Sequence, residues 1–451
     1  MRDIIVLLIS MILIITALTS RFAGAVGYWW FGIFRPQDWV WGNINSLKLP
    51  LIAIALFVIP CFLQGLWPRF KDPISKLLLG YLVLTVVTQF TSSCIPIGFR
   101  ISYFQQFAVL LLAIFLTIRV TDSEQRFCWI VAVVGLSLAF HAGKAGLLGM
   151  LGMGGTYYGA STMQGLFAGS NGFAFGSAVL LFFNLFIIKM AYAKNALFYL
   201  PNLVRSQRTL KLIKLFGPIV CIGIIYNVIT LFSRGSALAM FLGLALWFSL
   251  SSLLKFKHIL IMGIIGVLGL SVIGLPDGYK DRIASAFVED EELDDSAASR
   301  PHFWGIAMEM VADNPLGVGP GCYNTYYPIY DSSFGKYGMY RTVHSAHFEV
   351  ISEIGYLGAL SWILLYVISI KKLFYIRKSV KLTPINKEQD EFYVNAANLL
   401  IAAITVFLIG SSFYAMAYND IIWLLWGLTA VLITLFKQYS SQSQKELKVK
   451  T

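Results

Sequence analysis

The stretch LPLIAIALFVIPCFLQGL, residues 49–66, runs its whole length without a charged side chain. As α-helix it would rise about 27 Å, close to the ~30 Å hydrocarbon thickness of a bilayer. Similar runs cover Leu77 to Phe90, Leu215 to Phe232 and His258 to Leu275. None alternates polar and apolar residues as a transmembrane β-strand does, so the predicted spans are helices. The composition agrees: of 451 residues, 57% are hydrophobic and only 13% charged, too apolar a mixture for a soluble domain to enclose in one core.

Working outward from 49–66, the apolar runs predict an all-α polytopic membrane protein with about twelve transmembrane helices. They fall near residues 4–20, 47–66, 76–92, 101–119, 127–150, 169–191, 215–232, 235–253, 257–275, 346–370, 396–415 and 419–437. The piece Phe22 to Phe34 is short for a crossing and reads as re-entrant or interfacial, with Trp29, Trp30, Trp39 and Trp41 at headgroup level. A small-residue AGA at 23–25 resembles a signal-peptide cleavage site, but a first run followed by many spans reads as an anchor.

The net charge of +12 is not that of a nucleic-acid binder, because the cations sit in short segments between spans: WPRFKDPISK (67–76), VRSQRTLKLIK (204–214) and KKLFYIRKSVK (371–381). That is the positive-inside pattern. It places both termini in the cytoplasm and the segment 276–345 outside. The five cysteines show no paired spacing, and Cys61, Cys128 and Cys221 lie in expected spans. Cys94 and Cys322 share the outer side, which leaves a disulfide between them open.

No internal repeat is evident, and residues 1–451 read as a single membrane domain. Its one departure from the rhythm of spans and short connections is the outer loop 276–345, and a loop that long inside a compact domain is usually functional. Its acidic opening, PDGYKDRIASAFVEDEELDDSAASR (276–300), reads as a solvated stretch. In SRPHFWGIAMEMVADNPLGVGPG (299–321), apolar residues recur at helical spacing, Ser299 is the expected N-cap, and Asn314, Pro315 and Gly317 end the helix. Then YNTYYPIYDSSFGKYGMY (323–340) offers six tyrosines with almost no aliphatic residues between them. Such a ribbon is expected to lie outside any ordinary core, either stacked on sugar rings or spread on the bilayer surface.

Arg234 interrupts two apolar runs in FSRGSALAM (232–240), where Ser233 to Gly235 read as a tight outer turn. It is either a snorkelling cation or, with Arg282, Arg300 and Arg341 of the loop, part of a set of planar donors matched to a diphosphate. A diphosphate at a membrane surface implies a lipid-linked substrate. In TVHSAHFEVISEIGYLG (342–358), His344 and His347 stand three apart at the head of a span. Either suits a general base at neutral pH. His302, Glu349 and Glu353 are further ligand types, but no spacing such as H-E-x-x-H links them, and we assign neither metal nor cofactor.

The order of SRG in a turn, then DDSAASRPHFWGIAMEMVADNPLGVGPGCYNTY (294–326), then HSAHFEVISEIGYLG (344–358) resembles the O-antigen ligase and polymerase superfamily. With MRDIIVLL (1–8) and GYWWFGIFRPQDWVWG (27–42), the chain looks most like the branch of O-glycosylation ligases associated with the exosortase A system. Relatives carry H-N or H-S nine residues before the glutamate of an E-x-G-x-x-G helix, which selects His344, with Ser345, Glu353, Gly355 and Gly358. His347 falls where relatives often have an aromatic residue.

The resemblance implies a bacterial inner-membrane ligase, multi-pass, with its active site facing the periplasm. It would move a glycan from an undecaprenyl diphosphate carrier, with inversion, to an acceptor hydroxyl on lipid, protein or glycan. His344 would be the base, and Arg234 and Arg300, helped by Arg282, would hold the diphosphate. His347, Tyr323, Tyr326, Tyr327, Tyr340 and Arg341 are candidates for contact with glycan or acceptor. A polymerase using the same donor is the alternative. A transporter of the lipid-linked glycan would instead place charges at mid-membrane between repeated halves.

Overall fold

The computed structural model describes residues 2–36, 48–95, 97–153, 169–251 and 299–450. Among these the chain is all helix and connection, with no strand. The helices in chain order are α1 (Arg2–Thr19), α2 (Arg21–Ile33), α3 (Leu49–Leu63), α4 (Pro73–Thr91), α5 (Ile97–Val120), α6 (Glu124–Met150), α7 (Ser170–Ala191), α8 (Ala196–Tyr199), α9 (Gln207–Thr230), α10 (Arg234–Leu250), α11 (Arg300–Asp313), α12 (Tyr323–Tyr330), α13 (Ala346–Leu382), α14 (Lys387–Gly410) and α15 (Asp420–Lys450).

Eight of these helices are long and apolar enough to cross a membrane, and α1, α3 and α10 are shorter apolar helices. Every expected crossing but one therefore falls on a helix. The exception, 257–275, lies outside the described residues, as do Trp39, Trp41 and the acidic opening of the outer loop. Several helices overrun their expected ends: α9 takes in part of the basic segment before it, and α13 and α14 leave only 383–386 between them. Lys, Arg, Glu and Gln are good helix formers, so a helix need not stop where lipid does.

Helices α6, α7, α14 and α15 form the interior, while α1 and α9 turn apolar side chains such as Ile12, Leu215 and Ile222 outward to lipid. Where α6 meets α9 the backbones nearly touch: a Cβ on Gly146 would lie 1.8 Å from the Gly223 carbonyl oxygen. Small residues give such close approach in membranes, where packing replaces the hydrophobic drive. Helix α2, at 13 residues about 20 Å long, is too short to span and packs against α1, α3 and α6. Trp29 does not face outward: it is 1% exposed, and its indole N–H donates to Thr117 Oγ1 at 3.0 Å.

At the end of the bundle opposite the basic segments, α11 and α12 build a second core over the helix ends. Phe303, Ile306, Met310, Val318 and Val343 pack there with Tyr323 and Tyr327, beside the Cys94–Cys322 disulfide. The disulfide ties the α4–α5 connection to the start of α12. The tyrosine ribbon thus departs from expectation. On a helix, Tyr323 and Tyr327 fall on one face, and their rings complete a core that too few aliphatic residues could fill. Their hydroxyls find acceptors, Tyr323 on the Phe303 carbonyl at 2.8 Å and Tyr327 on Asp331 at 3.3 Å.

The platform is locked to α13 by a break in that helix. Gly355 has φ +76° and ψ −171°, so the turn around it cannot bond to itself. The segment 315–319 supplies the partners: Val318 and Gly319 N–H donate to the Ser352 and Glu353 carbonyls at 2.9 Å, and Tyr356 N–H donates to the Pro315 carbonyl at 3.1 Å. A Cβ on Gly355 would lie 2.2 Å from the Pro315 oxygen, which no side chain can accept.

Candidate active site

Four features converge at the outer ends of α10, α11, α13 and α14. Arg234 is the first residue of α10 and not the middle of a turn; the reversal falls one step earlier, where Phe232 has φ +57°. Ser233 stands at the N-cap, donates to Ser236 Oγ at 2.6 Å and is hydrogen-bonded to the Tyr414 hydroxyl. A Cβ on Gly235 would lie 2.8 Å from the Phe413 ring, so the first turn of α10 rests directly on that ring. The Arg300 guanidinium lies over the same ring, 5.5 Å from its centroid.

Arg300 opens α11 just as Arg234 opens α10, and the first turn of α10 and the Arg300 guanidinium share one aromatic floor. Helix N-termini present unpaired backbone N–H groups and positive dipole ends, and guanidiniums add planar donors, features suited to an anion. Ser299 sits at the N-cap of α11 with helical dihedrals and no side-chain capping bond, contrary to expectation, since its φ −76° and ψ −19° carry the helical path one residue back.

His344 completes the set. Its φ is +50°, the left-handed region that a residue with a Cβ enters only when its surroundings hold it there. Its ring centroid is 5.8 Å from that of Phe303, and Nε2 lies 3.1 Å from Thr342 Oγ1. Burial, then the charges of Arg300 and Arg341, depress its pKa below the ordinary 6.5. Burial first, and the positive field second, thus favour the neutral imidazole, which can accept a proton.

His347 faces elsewhere. Its Nδ1 accepts the Trp362 indole N–H at 3.1 Å, and its Nε2 lies 3.1 Å from the Leu408 carbonyl, so both ring nitrogens are committed within the helix bundle. The expected contact of His347 with acceptor or tyrosine ribbon is thereby corrected: three residues on, across a left-handed turn, the two rings diverge. Tyr323 and Tyr327 are corrected likewise, being 2% and 0% exposed beneath the site. Tyr326 is half-buried against the platform, Tyr340 is 72% exposed, and Arg341 donates to the Tyr337 carbonyl near the rim. Arg282 lies outside the described residues.

The loop above α11 is shaped by a pair to which the spacing of the sequence gave no clue. Asp331 accepts from Ser333 N and Oγ at 3.0 and 2.6 Å and from Gly335 N at 2.8 Å, and it pairs with His302 Nε2 at 2.9 Å. Although burial opposes the charge, these bonds hold the carboxyl well below the usual carboxylate range. Glu353 caps the start of α12, accepting from Gly321 and Tyr323 N–H at 2.7 and 3.1 Å, and Glu349 accepts from Ala417 N–H at 2.8 Å. Among the described residues no three His, Cys, Asp or Glu side chains are grouped as a metal site requires. The floor ring Phe413 also escaped the sequence, because 396–415 read as one span; the small polar run Ser411–Ser412 was the available sign that α14 ends at Gly410.

Residues 219–363, which hold Arg234, Arg300 and His344, match the family model of O-antigen ligase. The chain carries an O-antigen ligase domain. Residues 1–194 match a family of unknown function, and no curated protein matches the chain. The O-antigen ligase domain begins within α9 and ends within α13, so it contains every helix that contributes an arginine or histidine to the site. It places the chain among ligase- and polymerase-type glycan-processing membrane proteins.

Proposed function

We propose that this O-antigen ligase domain transfers a glycan from an undecaprenyl diphosphate carrier to an acceptor hydroxyl, at the periplasmic face of the bacterial inner membrane. Residues 1–451 act in this reading as one membrane domain, with 276–345 as its outer loop. The observation that carries it is the shared Phe413 floor, on which the first turn of α10 and the Arg300 guanidinium meet, with His344 in the field of Arg300. Neutral His344 takes the acceptor proton as the hydroxyl attacks the anomeric carbon. Inversion follows from attack opposite the departing diphosphate, whose growing charge Arg234 and Arg300 meet through bidentate hydrogen bonds. Arg282 is a further candidate on the loop. Tyr326, Tyr340 and Arg341 are placed to touch glycan or acceptor at the rim. The Cys94–Cys322 disulfide supports an oxidising compartment for this end of the bundle.

The test uses purified full-length protein in proteoliposomes with carrier-linked glycan and candidate acceptors, read by release of carrier diphosphate and by glycan on the acceptor. Transfer to a non-glycan hydroxyl supports the ligase. Extension of one carrier-linked chain by another assigns the polymerase, and movement of intact donor across the bilayer without bond cleavage overturns both.

A further inference from the structure

At the opposite end of the bundle a cavity of about 710 Å³ opens between the ends of α7, α10, α13 and α14. Five cationic side chains line it, Lys189, Arg377, Lys378, Lys381 and Lys387, against two carboxylates, Asp390 and Glu391. Asp390 is already engaged, accepting from Ile385 N–H and from the Tyr439 hydroxyl, each at 2.9 Å. Among the described residues none of the five cations stands in a salt bridge; Arg377 spends one N–H on the Leu250 carbonyl at 2.9 Å and leaves Nε unpartnered.

The inner wall adds an independent sign. Asn398 lines the cavity at 0% exposure, and neither its amide nitrogen nor its oxygen has a hydrogen-bond partner. A buried amide left wholly unsatisfied is costly, and such groups usually mark a missing partner. From Lys387 to Asn398 the helix rises about 16 Å, and from Ala346 to Arg377 about 46 Å, before allowing for the break at Gly355. The mouth with its lysines therefore sits at the inner headgroup level, and Asn398 lies deeper, where a lipid's glycerol backbone or an adjoining hydroxyl would reach.

We propose that this cavity is a binding site for the headgroup of an anionic glycerophospholipid, its phosphate held by Arg377, Lys378 and Lys381 and a headgroup or glycerol oxygen hydrogen-bonded to Asn398. A phosphate bearing a neutral polar substituent matches a rim rich in cations over a floor with one donor and one acceptor. The site is separate from the diphosphate-binding end and does not depend on the transfer reaction.

The experiment is native mass spectrometry of the purified full chain in detergent, titrated with phosphatidylglycerol, with phosphatidylcholine as the zwitterionic control and inorganic phosphate as competitor. The expected result is one tight phosphatidylglycerol per chain and at least a tenfold loss of affinity in Lys378→Gln/Lys381→Gln and in Asn398→Leu. Phosphate at millimolar concentration does not displace it. The lysine pair is exposed, so that variant tests the idea even where Asn398→Leu fails to fold. Equal binding of the two lipids, or an unchanged lysine variant, overturns the proposal. Displacement by phosphate alone assigns the cavity to a soluble anion and overturns the lipid.

Discussion

The turn at 341–345 and the break at 352–356 lie within about three helical turns on one stretch of chain, and they treat an unusual backbone in opposite ways. At the first, His344 is held at φ +50° with its ring part-exposed in the field of Arg300 and Arg341. At the second, Gly355 sits at φ +76° in the interior, and the backbone groups freed by the break bond to 315–319. Strain at the first holds a titratable ring near two arginines. At the second, a residue without a side chain removes the strain and locks the platform that carries Arg300. The same helix thus starts with a presented group and continues with a satisfied one.

The largest effect should come from the presented group. His344→Ala is expected to lower transfer by ~10²- to 10⁴-fold, the usual contribution of a general base, with the protein inserted at normal levels. Because burial and two arginines lower the His344 pKa, the wild-type rate should stay level from pH 8 to 7 and fall only below the ordinary 6.5, as the ring takes up a proton. A rate already falling at pH 7.5 would remove His344 as the base.

Next come the arginines. Arg300→Lys should cost roughly 10²-fold in rate, nearly as much as Arg300→Ala, because an ammonium keeps the charge and loses the planar fork. Arg234→Lys should behave in the same way. Lysine variants with full rate and carrier affinity would make both arginines interfacial anchors.

Gly355→Ala probes the satisfied side. The added methyl meets the Pro315 oxygen at 2.2 Å, and backbone strain alone costs roughly 1 to 3 kcal/mol. The expected outcome is a lower melting temperature and faster proteolysis after α11, with activity lost only in proportion to unfolded protein. His347→Phe should cost about 1 to 3 kcal/mol in stability, since it strands the Trp362 N–H, yet keep most of the transfer rate. Equal loss of rate in the His344 and His347 variants would erase the contrast between the two regions. The smallest effect is none: EDTA should leave the rate of dialysed enzyme unchanged, because arginines meet the diphosphate charge. A requirement for added Mg²⁺ would refute that.

Much of this was legible in the chain. Apolar runs of membrane length and a single long loop determine a polytopic helical protein, because hydrocarbon imposes the same demand on every backbone group that crosses it. The site residues Arg234, Arg300 and His344 stood out as polar groups at span ends and in the loop. What the sequence could not separate was His344 from His347 by spacing alone, or the exposed tyrosines from those that pack.

Those distinctions belong to tertiary structure. Phe413 against the first turn of α10 and the Arg300 guanidinium, the Cys94–Cys322 bridge and the partners of the Gly355 break all join residues far apart in the chain. Composition and periodicity report how each segment meets its solvent. Which face of a helix meets which loop is decided by packing among segments, and only there does one histidine commit both ring nitrogens to the bundle while its neighbour turns toward Phe303 and Thr342.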